Sequence, residues 1–116
     1  MSNYHEPMEL LDEKARNISR ALNSLKEEVE AVDWYNQRVA ATQDPTLKEL
    51  LAHNRDEEIE HACMTLEWLR RNMDAWDEEL KTYLFTDVSI VEAEGTVEGS
   101  EAGSDGKGGL NIGDLK

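Results

Sequence analysis

From Leu11 to Val39 the apolar side chains recur at alternating steps of four and three: Leu11, Ala15, Ile18, Leu22, Leu25, Val29, Val32 and Val39, with only Asn36 breaking the series. A helix brings that spacing onto one face, and about four heptads of it describe a long rod with one apolar seam. The spacing predicts a helix over roughly residues 8–41, with Pro7 in its first turn, about 50 Å long at ~1.5 Å per residue. Thr42-Gln43-Asp44-Pro45 ends it, because Pro45 disfavours helix at the residue before it. Asp44 then suits an N-cap and Pro45 the first position of a second helix, near residues 45–72. Arg70 and Arg71 suit that helix's negative end. A short third helix, near 75–85 and capped by Asp74, carries Trp76, Leu80, Tyr83 and Leu84. So short a link between the long helices folds them back antiparallel. The expected fold is all-α: a two-helix hairpin with a short third helix.

All seven glycines fall between Gly95 and Gly113. This break predicts a helical domain at 1–86, a flexible acidic linker at 87–108 and a terminal peptide at 109–116. The 116 residues carry 26 acidic and 12 basic side chains, a formal charge of −14. Phosphates repel such a surface, which excludes nucleic-acid binding and docking on an anionic membrane. No apolar run approaches the ~18 residues of a spanning helix, and Met1 to Glu6 carry no basic-then-apolar signal. The lone Cys63 cannot form an internal disulfide and is expected to be a small buried side chain. These features suit a reduced, intracellular protein. With 39% hydrophobic residues, a two-helix hairpin has too little core to stand alone, so a partner is expected.

Four-three stepping along the second helix visits Leu47, Leu51, Asn54, Glu58, His61, Thr65 and Trp68. The stripe is apolar at its ends and polar in its middle, and burying an unpaired carboxylate there is costly. A turn centred near Asp44 sets Glu28 level with Glu58, and Glu27 level with His61. Carboxylates and an imidazole at one level form a like-charge cluster that a cation would relieve. Glu58-x-x-His61 places its two side chains on one helical face. In di-iron four-helix bundles, two helices give one Glu each and two give Glu-x-x-His. This chain holds one of each kind, so two copies about a twofold axis would supply the full set. Glu28, Glu58 and His61 are therefore the candidate iron ligands.

Plainer readings stand beside this one. Acidic runs are usually solvated faces, and Glu-x-x-His arises readily by chance in acid-rich helices. The same residues suit a metal buffer without redox work, or a coiled-coil adaptor that binds no metal. His5 and His53 read as ordinary exposed or supporting residues, and Trp68 and Trp76 as packing. Tyr35, one heptad beyond Glu28, is placed to hydrogen-bond a ligand carboxylate or simply to pack beside Trp34.

Three stretches together resemble one family, the encapsulated ferritins of encapsulin nanocompartments: Glu27-Glu28-Val29-Glu30 through Trp34-Tyr35 to Arg38, Leu51-Ala52-His53 through Glu57-Glu58-Ile59-Glu60-His61 to Ala62, and Met64-Thr65-Leu66-Glu67-Trp68 to Asn72. The resemblance implies half a ferritin-like four-helix bundle, completed by dimerisation, with a di-iron ferroxidase centre shared between subunits. It implies Glu28, Glu58 and His61 as iron ligands. It implies Glu27 and Glu30 as a secondary site for calcium or another divalent cation, with Trp34 and Tyr35 close to the centre. It further implies a ring-shaped homodecamer held inside an encapsulin shell in a bacterial or archaeal cytoplasm. Fe(II) would be oxidised with O2 and the shell would hold the mineral.

Gly109-Leu110-Asn111-Ile112-Gly113-Asp114-Leu115-Lys116 resembles the peptide by which cargo docks in such shells. Physically, Leu110, Ile112 and Leu115 form a short apolar element on a tether, which suits docking or simple fraying.

Overall fold

The structure is a computed structural model that describes residues 4–95. Among these residues it is helical, without strand. A 3-10 turn at Met8–Leu10 precedes three helices: α1 (Glu13–Ala41), α2 (Pro45–Asn72) and α3 (Asp74–Tyr83). The chain divides after Leu69 into two compact units.

The first unit is the hairpin. The first helix, expected from residue 8, begins at Glu13. Leu11 is extended, and the Asp12 carboxylate caps α1 by accepting from the Ala15 amide at 2.8 Å. This satisfies an end donor that a longer helix would have paired internally. Arg16 ties the separate turn down, donating through Nη2 to the Met8 carbonyl at 2.7 Å. At the hairpin turn, Asp44 Oδ1 accepts from the Thr46 and Leu47 amides at 2.9 and 3.2 Å, with Pro45 first in α2 as expected.

Two side-chain contacts fix the antiparallel pairing. Arg55 Nη1 donates to Asn36 Oδ1 at 3.0 Å, and the Thr65 hydroxyl donates to Glu28 Oε2 at 3.4 Å. Glu28 thus meets Thr65, seven residues beyond the Glu58 that turn arithmetic sets at its level. The cause is side-chain direction, since Cα–Cβ bonds lean toward a helix's N-terminus. Side chains of α1 lean away from the turn and those of α2 toward it, so Asn36 and Glu28 meet α2 partners, Arg55 and Thr65, of higher number than backbone levels suggest.

One chain covers only part of the apolar stripe. On α1 the column Ile18, Leu25, Val32 and Val39 is half-buried, as is the neighbouring column Ala21, Glu28 and Tyr35. The column Leu22, Val29 and Asn36 is exposed, with Val29 at 55%. On α2, Leu51, Glu58 and Thr65 are half-buried, whereas Leu47, His61 and Trp68 are exposed. Cys63, expected buried, is exposed, because it lies off both columns of the α2 stripe.

In the second unit α3 starts at Asp74, not after it: Met73 is the N-cap, its carbonyl accepting from the Trp76 amide at 3.0 Å. Arg70 Nη1 and Lys81 Nζ clasp the Asp77 carboxylate at 2.5 and 3.0 Å. Lys81 first, then Arg70, holds that carboxyl below its ordinary range by hydrogen bonding. Just past α3, Phe85 takes a left-handed backbone with φ 61 and a fully exposed ring. That position after a helix usually belongs to glycine.

The expected linker 87–108 opens on a further helical stretch at 90–95. Ser89 starts it, its carbonyl accepting from Ala93 and its hydroxyl from the Glu92 amide. Ser89-Ile90-Val91-Glu92 is a capping-box pattern, and that local signal prevails over the bulk composition of the segment. The rest of the linker and the peptide 109–116 lie outside the described residues.

Candidate metal centre

Glu58 and His61 project together from the middle of α2, one turn apart, with Glu58 Oε1 3.5 Å from His61 Nδ1. Glu58 stands on the inner, half-buried column of the α2 stripe and His61 on its exposed edge. The pair thus spans the boundary between the hairpin interior and the surface that a further helix would cover. A carboxylate and an imidazole side by side suit iron, manganese or zinc better than a purely oxygen-seeking cation.

Glu28 lies on the inner face of α1. Its Oε2 accepts the long bond from Thr65, while Oε1 is buried without a hydrogen-bond partner. Removing a carboxylate oxygen from water without a donor costs free energy, which a cation would repay. Among the described residues no hydrogen bond or ion pair joins Glu28 to Glu58 or His61. Nor do three His, Cys, Asp or Glu side chains of one chain gather as a metal-holding group. The contacts the structure gives are Glu58 with His61, and Glu28 with Thr65. Thr65 occupies the sequence stripe but had no role there; its position seven residues after Glu58, on the same column, is the signal that marks it.

Glu27 and Glu30 are exposed and sit one turn apart on α1. Nothing in their geometry singles out calcium. Tyr35 is half-buried with the Arg38 guanidinium 5.2 Å from its ring centre, and Trp34 beside it is exposed. On α2, His53 is exposed and lies 3.8 Å from Glu57, one turn on. No helix among the described residues is long and apolar enough to cross a membrane.

Comparison with known proteins now bears on this arrangement. The profile of the EncFtn-like family matches residues 3–87. A ferritin-like protein of Thermotoga maritima is 60% identical, over 91% of this chain and 90% of its own length. An encapsulated ferritin-like protein of Rhodospirillum rubrum is 55% identical, over 97% of this chain and 86% of its own. The crystal structure of protein ne0167 from Nitrosomonas europaea superposes with a TM-score of 0.74 at 57% identity, covering 77% of this chain and 99% of that one. With a family profile across the whole hairpin and relatives more than half identical over nearly the full length, the chain belongs to the EncFtn-like family of ferritin-like proteins.

Proposed function

We propose that this protein is a ferroxidase, oxidising Fe(II) to Fe(III) with O2 at a di-iron centre formed between two copies of the chain. Family membership supports an iron-related, ferritin-like function. The observation that carries the finer reading is the buried, unpartnered Oε1 of Glu28, on a helix packed against the one that bears Glu58 and His61. The residues fit iron: two copies offer four carboxylates and two imidazoles, an oxygen-rich set completed by nitrogen. Iron held there supplies the electrons that O2 accepts.

The chain's own residues do the rest. Glu28 and Glu58 contribute negative charge, which favours Fe(III) over Fe(II), and His61 adds a neutral nitrogen donor. The exposed column Leu22, Val29 and Asn36 with Leu47, His61 and Trp68 gives the second copy its contact surface, and an apolar face of this kind drives helix pairing. His61, on that edge, is suited to serve a centre shared with the other copy. Glu27 and Glu30 raise the local cation concentration, an effect that salt weakens.

Dimers are proposed to assemble into a ring. The name of the Rhodospirillum rubrum relative, an encapsulated ferritin-like protein, supports a place inside an encapsulin shell, in the cytoplasm, and the apolar Leu110, Ile112 and Leu115 make residues 109–116 the proposed docking element. Glu28→Ala, Glu58→Ala and His61→Ala test the assignment. Each should sharply slow Fe(II) oxidation, followed by oxygen consumption and Fe(III) absorbance, and wild-type rates in all three would reject it. Iron uptake without oxygen consumption in the wild type would make the protein a metal buffer instead.

A further inference from the structure

Thr65 is the side chain through which α2 reaches the α1 carboxylate. Its hydroxyl donates to Glu28 Oε2 at 3.4 Å, and Oε1 of the same carboxylate is buried and unpartnered. In a helix, a threonine hydroxyl has a ready alternative, the carbonyl four residues back, here that of His61. Instead it points across the hairpin. At 3.4 Å the bond exceeds the ~2.7–2.8 Å usual for O–H···O, so it biases the orientation of the carboxylate more than it offsets the charge. The chemistry of the donor matters too. A lysine or arginine there would hold Glu28 as an ion pair and compete with a cation, whereas a neutral hydroxyl orients the group and leaves its charge available. The same residue lies on the Glu58 column of α2, so one helix both presents the Glu58/His61 pair and sets the facing carboxylate.

We infer that Thr65 is a positioning residue for divalent-cation binding: it engages one oxygen of Glu28 so that the other, buried and free, is left for the metal. This inference rests on the reading of Glu28 as a metal ligand, and the test separates the two. Full-length wild type, Thr65→Val, Thr65→Ser and Glu28→Gln are titrated with Co(II), a cation that binds oxygen and nitrogen donors without consuming O2. Binding is read calorimetrically and from the Co(II) absorption bands, and the apo carboxylate stretches are compared by infrared spectroscopy. Partners of ligating groups typically change metal affinity about 10–100-fold. Thr65→Val, which keeps the shape and deletes the donor, should weaken Co(II) binding about tenfold and shift a carboxylate band of the apo protein. Thr65→Ser should restore both, and Glu28→Gln should lose the same Co(II) signal. Wild-type affinity in Thr65→Val beside a loss in Glu28→Gln would overturn the positioning role alone. Wild-type affinity in Glu28→Gln would overturn the ligand assignment beneath it. Equal weakening in Thr65→Val and Thr65→Ser would mark Thr65 as packing only, and would also overturn the proposal.

Discussion

Asn36 Oδ1 accepts a hydrogen bond from Arg55 Nη1 at 3.0 Å, so the one polar break in the α1 stripe is a clip onto α2. Arg55 Nε also donates to Asp56 at 3.0 Å, so one guanidinium joins its own helix to α1. A hydrogen bond to a charged group contributes about 1.5–3 kcal/mol when shielded and less in water. Asn36 is exposed, so Asn36→Ala should destabilise the hairpin by about 1 kcal/mol. Asn36→Leu would extend the stripe at the same cost to the clip. Urea unfolding monitored by circular dichroism measures both, and unchanged midpoints would show that the clip contributes nothing.

The Asp77 clasp predicts a pH dependence. Lys81 and Arg70 hold the folded Asp77 carboxyl below the ordinary carboxylate range by hydrogen bonding. A carboxyl depressed by folding adds stability that is present above its unfolded pKa and is lost as pH falls through the folded one. The stability difference between wild type and Asp77→Asn should therefore be constant at neutral pH and shrink below about pH 4. Amide hydrogen exchange across α3 at several pH values reads it locally, where the titration of the other acids is common to both proteins. A difference that is unchanged down to pH 2 would reject the clasp as an ionic interaction.

Much of this was legible in the sequence, for identifiable reasons. The start of α2 follows from Pro45 and Asp44, because a residue that fixes φ and a side chain that caps act locally. Glu58 and His61 were legible as a pair, since i and i+3 share a face whatever surrounds them. What was not legible depended on distance across the hairpin. Counting from the turn set Glu28 level with Glu58 but did not single out Thr65, whose hydroxyl reaches Glu28 across the hairpin. The break at Leu11 and Asp12 was hidden because Leu11 itself opens the four-three series, while the capping carboxylate of Asp12 starts the helix only after it. Composition likewise hid the helical stretch at 90–95, where Ser89 supplies a cap that residue counts do not weigh.

Joining two hairpins around acidic side chains has an energetic consequence that can be measured without iron. On the two-copy reading, the dimer gathers four carboxylates from Glu28 and Glu58, and like charges so placed repel. Glu58→Gln removes two of those charges and keeps the shape, so the metal-free dimer should become more stable, with a lower dissociation constant by analytical ultracentrifugation. The same variant should lose the further tightening that Fe(II) confers on the wild type under anaerobic conditions, because a ligand that binds only the assembled form stabilises it by mass action. A wild-type dimer that is equally tight in chelator and in Fe(II) would favour a structural adaptor over a metal centre.

If the terminal peptide is the docking element proposed above, catalysis and address are separable. Leu110, Ile112 and Leu115 are the apolar side chains in 109–116, beyond a stretch rich in glycine, serine and acids. The candidate ligands all lie in α1 and α2, so on the proposed reading oxidation and docking belong to different parts of the chain. Deleting residues 110–116 should leave Fe(II) oxidation in free solution at the wild-type rate. Co-expressed with its shell protein, the truncated chain should be absent from purified shells, whereas the full chain co-purifies at a fixed ratio. An apolar peptide that docks on a complementary pocket works through its large side chains. Leu110→Ala with Leu115→Ala should therefore reproduce the deletion, and Asn111→Ala should have little effect. Normal packaging of the truncated protein would place the docking determinant in the helical part of the chain.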